Sequence, residues 1–143
     1  MSVTPTLLQR IGTQLPIIQA PMTGSDTPAL AAAVSQSGGL GSLGCGARSP
    51  VAMREAAVRA ATDRPFAMNL FVLDTPSPGA AEVQAALERL APLDERFQLP
   101  LQTPSAWCQD FAAQFETLLE LRPAVASFTF GLLTPEQVRH LHD

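Results

Sequence analysis

Short apolar runs alternate along the chain with longer segments in which apolar residues recur every three or four positions. Four of the runs read as strands: residues 16–20 (PIIQA), 40–43 (LGSL), 66–71 (FAMNLF) and 124–130 (AVASFTF). Pro21 closes the first, because a residue without an N–H ends a ladder. Helical segments lie between them. Residues 28–36 are mostly small, begin with the cap-then-proline pair Thr27-Pro28 and stop at Ser37-Gly38-Gly39. Ser49-Pro50 starts a second helix by the same device, reaching about Ala61 with Arg54, Glu55 and Arg59 outward. Residues 80–90 carry Val83, Ala86, Leu87 and Leu90 at helical spacing, and residues 105–121 place Phe111, Phe115, Leu118 and Leu119 on one face. Thr134-Pro135 opens a last helix to the C-terminus. Residues 22–27, 74–79 and 92–104 read as loops, the last rich in Pro and Gln.

The resulting order, β-α-β-α-β-α-α-β-α, implies parallel βαβ units. Strands that are apolar throughout belong to a sheet covered on both faces or to a barrel. The pattern predicts one α/β domain over residues 1–143.

Composition narrows the chemistry. The chain has 143 residues, 46% hydrophobic and 15% charged, with a formal net charge of −4. Such a mixture forms a core and is not that of a disordered chain. Net acidity argues against nucleic-acid binding, which needs clustered positive charge. No apolar run approaches the roughly 20 residues that span a membrane. Every basic residue apart from the two His is Arg, so there is no Lys for a Schiff base or a P-loop, and there is no Tyr. Cys45 and Cys108 make no disulfide framework, and the first residues lack the form of a signal peptide, which predicts a cytoplasmic protein with reduced thiols.

Residues 39–44 match the string G-x-G-x-x-G, but the strand lies among the glycines and the helix starts only near Ser49, so the string reads as a cramped strand and turn. The weaker reading lets backbone at residues 44–46 approach a ligand. Cys45 in that turn reads as a buried thiol, and Cys108, beside Trp107 on a helix, as packing. His140 and His142, two apart, point to different helix faces and suit no metal. Asp63, Arg64 and the remaining charges read as a solvated face. Asn69 differs: it is a polar side chain near the C-terminal end of an apolar strand, where parallel α/β folds bind ligands. A structural hydrogen bond would also account for it. Thr129 ends the fourth strand in the same way, and Met22 and Gly24 follow the first. Three of four strand ends thus converge on one rim.

Taken in order, Pro16-Ile-Ile-Gln-Ala-Pro-Met22, Ser37-Gly-Gly-Leu-Gly41, Met68-Asn-Leu-Phe71 and Ser127-Phe-Thr-Phe-Gly131 resemble the nitronate monooxygenase family, formerly 2-nitropropane dioxygenases. The resemblance runs from about residue 10 to the C-terminus. It implies a TIM (β/α)8 barrel with FMN at its C-terminal rim, oxidising alkyl nitronates with O2 to a carbonyl compound and nitrite. It further implies that Ala20, Pro21 and Met22 lie along the flavin ring, with Met22 as an apolar wall, and that Asn69 hydrogen-bonds the flavin. Thr129 falls where several members carry a His proposed to act in catalysis, which makes it the catalytic candidate here.

A complete barrel needs roughly 250 residues, so the chain is expected to be the N-terminal half, about four βα units. The resemblance places the phosphate-binding loops and a further active-site His in the other half, and the 143-residue chain alone is expected to be inactive. Two apolar edge strands, near residues 16–20 and 124–130, predict a homo-oligomer. Flavin-dependent enoyl-thioester or quinone reduction is a second reading. An inactive half-barrel serving as an oligomerisation module is a third.

Overall fold

A computed structural model describes residues 6–60, 63–98 and 101–142. Its elements are α1 (Leu7–Ile11), α2 (Pro28–Gln36), β1 (Gly41–Gly44), α3 (Pro50–Ala60), β2 (Phe66–Phe71), α4 (Ala80–Phe97), α5 (Phe111–Leu121), β3 (Val125–Thr129) and α6 (Pro135–His142). They fall into two compact units, residues 1–74 with 109–143, and residues 75–108.

In the first unit, three parallel strands pair in chain order, β1-β2-β3. The register sets Gly44 beside Asn69, Asn69 beside Ser127, and Phe71 beside Thr129. Side chains alternate between the two faces of a strand. Leu43, Met68 and Leu70 therefore share one face and form the core with Ala31 of α2, Met53, Ala56 and Ala60 of α3, and Phe115 and Leu118 of α5. The other face carries Ser42, Ala67, Asn69 and Phe71 with Val125, Ser127 and Thr129. The expectation of strands apolar throughout is thus corrected in part: one face is apolar and packs helices, and the other mixes the hydroxyls and amide of Ser42, Asn69, Ser127 and Thr129 with apolar Ala67, Phe71 and Val125.

The first expected strand, residues 16–20, is also corrected. It contributes a single parallel bridge, Ile18 to Leu40. Leu40 N donates to Ile17 O and Gln19 N donates to Leu40 O. Beyond that point the Gln19 side chain replaces the ladder, its Nε2 donating to Ser42 O (3.1 Å) and its Oε1 accepting from Ser42 N (3.2 Å). Pro16 and Pro21 bound the segment and have no N–H to extend the pairing. Ile17 and Ile18 remain 57% and 61% exposed.

The caps explain where the helices begin. Thr27 accepts from Leu30 N and Ser49 from Ala52 N, as the cap-then-proline reading expects. Helix α1 adds an element to the expected order. Thr6 and Gln9 form a capping box, and Gly12 at φ +86° ends it. Helix α5 starts at Phe111 and not at residue 105, because Asp110 accepts from Ala113 N (2.8 Å) and holds the N-cap. The expected end of α3 at Ala61 and the side chain of Arg59 lie outside the described residues.

The second unit centres on α4, which runs past its expected end at residue 90 and through Pro92 to Phe97. Proline removes one helical hydrogen bond. Leu93 and Phe97 nonetheless continue the spacing of Leu87 and Leu90, and the amphipathic pattern persists. The expected irregular stretch 92–104 is therefore helical at its start and irregular from residue 101, with residues 99 and 100 outside the described part. A concavity of about 270 Å³ is lined by Val83, Ala86, Leu87 and Leu90 of α4 with Leu101 and Trp107. Among the described residues no helix is long and apolar enough to cross a membrane.

Candidate functional site

The polar face of the sheet gathers its hydrogen-bonding groups at the C-terminal ends of the strands. Asn69 is 5% exposed on the middle strand. Its Nδ2 donates to Ser127 Oγ (3.0 Å) and Thr129 Oγ1 (3.2 Å), two residues on one face of β3. A buried amide must find partners, and these two fix its rotamer. The structural reading of Asn69 is met by these partners, and the residue also lies at the C-terminal end of the sheet, where parallel α/β folds bind ligands. Thr129 is exposed. Ser127 was not singled out from the sequence, although period-two counting back from Thr129 finds it.

On the other side of Asn69 stands Gly44, the end of β1. The loop bearing Met22 is seated against it. Asp26 Oδ2 accepts from both Met22 N (2.9 Å) and Gly44 N (2.5 Å), while Oδ1 accepts from Arg48 Nη2 (3.0 Å). The Asp26 side chain is fully buried. Asp26 and Arg48 correct the expectation of a solvated charged face: a buried carboxylate is tolerated because charged and backbone donors meet it. Arg48 Nε also donates to Gly44 O (3.2 Å). From α5, buried Gln114 donates through Nε2 to Cys45 O (2.9 Å) and Arg48 O (2.7 Å). Met22, Gly44, Asn69, Ser127 and Thr129 thus form a row across four neighbouring segments. Met22, at 39% exposed, gives the row an apolar end. Ala20 is exposed and Pro21 half-buried just before it.

The glycines of residues 39–46 are explained by packing. A Cβ on Gly44 would meet Thr23 N at 2.5 Å and Asp26 Oδ2 at 2.9 Å, and one on Gly46 would lie within 2.6 Å of the Phe71 ring. Their space is filled by the chain itself, which favours the structural reading over backbone approach to a ligand. Cys45 is fully buried, and burial pushes its thiol from an ordinary 9.0 up to about 12, partly opposed by Arg48 and reinforced by Asp26. Cys108 is not on a helix. It lies in the segment before α5, half-buried, with Sγ 3.4 Å from Thr75 Oγ1.

A thiol reagent at pH 8 is therefore expected to modify Cys108 at once and Cys45 only after unfolding, read as one fast and one slow equivalent. The raised pKa also has a consequence for stability. A group that stays protonated when folded and ionises when unfolded contributes fully below its unfolded pKa. Urea midpoints should therefore hold up to about pH 9 and decline as the pH rises toward 12, and a C45A variant should lack that decline.

A second concavity, about 710 Å³, lies away from the row, lined by Leu118, Leu119, Arg122, Ala126, His140 and Leu141 among others. His142 borders it as well as His140, despite their spacing of two. No group of three His, Cys, Asp or Glu side chains arranged to hold a metal occurs among the described residues.

The sequence pattern of nitronate monooxygenases matches residues 4–143. The chain is 42% identical to a nitronate monooxygenase of Paraburkholderia phytofirmans, over 94% of this chain and 38% of that protein. It is likewise 42% identical to one of Pseudomonas aeruginosa, over 97% of this chain and 41% of that protein. It therefore spans about two-fifths of the length of these relatives. A nitroalkane oxidase from Streptomyces ansochromogenes superimposes with a TM-score of 0.76 at 34% identity, over 91% of this chain and 38% of that one. FabK from Thermotoga maritima does so with a TM-score of 0.63 at 25% identity, over 99% of this chain and 35% of that one.

Proposed function

Because the chain belongs to the nitronate monooxygenase family, we propose that it is the N-terminal half of a TIM-barrel oxidoreductase that binds FMN at the strand ends and oxidises alkyl nitronates with O2 to a carbonyl compound and nitrite. The supporting observation is the row from Met22 through Asn69 to Thr129, with its buried amide at the C-terminal end of the middle strand. Parallel barrels place their reactive groups at this end.

The residues present suit the ring of such a cofactor. Ala20, Pro21 and Met22 offer a largely apolar strip, and Asn69 offers a fixed amide beside it. At the starts of α2, α3 and α6 one backbone amide each, that of Leu30, Ala52 and Gln137, is already taken by Thr27, Ser49 and Thr134. When bound, FMN would supply the electron chemistry. The chain's own residues would do the positioning. Met22 would exclude water from one side of the ring. Asn69, whose Nδ2 is held by two hydroxyls, would offer its Oδ1 without reorganising. Thr129 presents a hydroxyl to the substrate. An aliphatic alcohol is a poor base, but an alkyl nitronate is already the deprotonated carbon acid, so the proposed reaction needs none at this position.

The test is titration of the chain with FMN, read by induced visible circular dichroism. An induced band that saturates supports the reading, and its absence at high FMN overturns it in favour of an inactive half-barrel. Nitronate-dependent O2 uptake, set against NADH-dependent flavin reduction, separates the oxidase from the enoyl-thioester or quinone reductase. The exposed Ile17 and Ile18 at one side of the sheet, and β3 at the other, support a homo-oligomer. Light scattering on the same sample should give at least twice the chain mass, and a monodisperse monomer removes that part of the proposal.

A further inference from the structure

We propose that Asp26 is a positioning residue for the rim: it fastens the Met22 segment to the end of β1 and so sets the wall against which the ring rests. The inference depends on the flavin reading above. The turn it belongs to is already closed without its carboxylate, since Met22 O accepts from Ser25 N (2.7 Å) and Asp26 N (2.8 Å). What the carboxylate adds is a tie outward. One oxygen takes the N–H of Met22 and the N–H of Gly44, so a single atom spaces the loop from the strand. Gly44 is the register neighbour of Asn69, and Cys45 N donates to Asn69 O (2.8 Å). The Asp26 oxygen therefore sets the separation between the two rim groups expected to flank the ligand.

Arg48 completes the device. It neutralises the buried charge through Oδ1, and its own backbone carbonyl is gripped by Gln114 of α5. The loop is thereby aligned to a core helix and not merely to its own strand. Charge-assisted bonds to a buried carboxylate are directional and strong for their kind, which suits a role in alignment. Gly44 leaves no room for a side chain between Thr23 and Asp26, so the loop lies directly on the strand end.

The test compares D26N and D26A with the wild-type chain by FMN titration, induced visible circular dichroism and urea unfolding. D26N keeps one acceptor oxygen and loses the charge, and so guards against a D26A chain that fails to fold. The exposed Arg54–Glu120 pair provides the control variant E120A. The expected result is FMN binding weakened about tenfold or more in D26A, the equivalent of losing one charge-assisted hydrogen bond, with an intermediate loss in D26N and an altered band shape in both. E120A should match wild type. Variants with a lowered urea midpoint but wild-type affinity and band shape would show a purely structural role and overturn the proposal. A wild-type chain with no induced band overturns the flavin reading and this inference together, whereas a wild-type band left unaltered in D26A and D26N overturns this inference alone.

Discussion

Replacing Gly41 by alanine is expected to cost about 3 kcal/mol of stability, the upper part of the overpacking range. A Cβ at this position would run into the carbonyl oxygen of Ala31, 2.6 Å from its carbon and 2.8 Å from its Cα. Backbone cannot rotate out of the way as a flexible side chain can, so α2 would have to back off the sheet. That movement would break the bond from Gly41 N to Ser35 Oγ (3.1 Å) and open the seam around Ala31, which is fully buried. Small residues along α2 are what allow so close an approach, and the helix has no longer side chain there to refill the gap. Small domains are stable by about 5–15 kcal/mol, so the urea midpoint of G41A should fall by a large fraction. The E120A control removes an exposed ion pair and should stay within about 0.5 kcal/mol of wild type. A G41A midpoint equal to that of E120A would mean that α2 does not press on β1 in solution.

The second large effect is expected at Asn69. N69A removes the one amide at the strand ends held by two hydroxyls. Ser127 and Thr129 lie on a half-exposed strand and can rotate toward water, so the fold should lose only about 1 kcal/mol. Flavin binding should suffer more, by about tenfold or greater, because a pre-oriented acceptor to the ligand disappears along with its anchoring. S127A loosens the amide without deleting it and should weaken FMN by a smaller factor. Equal titration curves for N69A and wild type would assign Asn69 to the structural bond alone.

The parts of this fold legible in the sequence are those written locally. Strand β2 and helices α2 and α6 follow from apolar runs and from threonine–proline starts whose partners lie three residues away. Strand β3 is one residue shorter at each end than its apolar run, 124–130. The two faces of the sheet are harder to see, because Ala67 and Phe71 are apolar and flank Asn69 on its own face, hiding the alternation against Met68 and Leu70. The first strand failed for a different reason: its pairing is completed by a Gln19 side chain 23 residues from Ser42, which no periodicity reports. The start of α5 turned on a single cap, Asp110, inside a stretch that otherwise scans as helix.

The candidate site divides along the same line. Met22, Asn69 and Thr129 are conspicuous as polar or thioether groups closing apolar strands. Asp26, Arg48 and Gln114 are not, since Asp26 meets Arg48 across 22 residues and Gln114 meets Cys45 across 69. A charge whose partner is distant looks like any surface charge until the chain is folded.

The pairing of strands in chain order bears on how the molecule is made. Each strand of the sheet lies beside the one synthesised before it, separated by a crossover that carries its own covering helix. Among the described strands, β2 and β3 each find a partner in the strand made just before. A nascent polypeptide leaving the ribosome at about 5–20 residues per second can therefore dock β2 on β1, then β3 on β2, with the apolar face shielded by α2, α3 and α5 as each arrives. In this vectorial growth each new strand of the described sheet is added at the edge left by the one before it, one unit at a time.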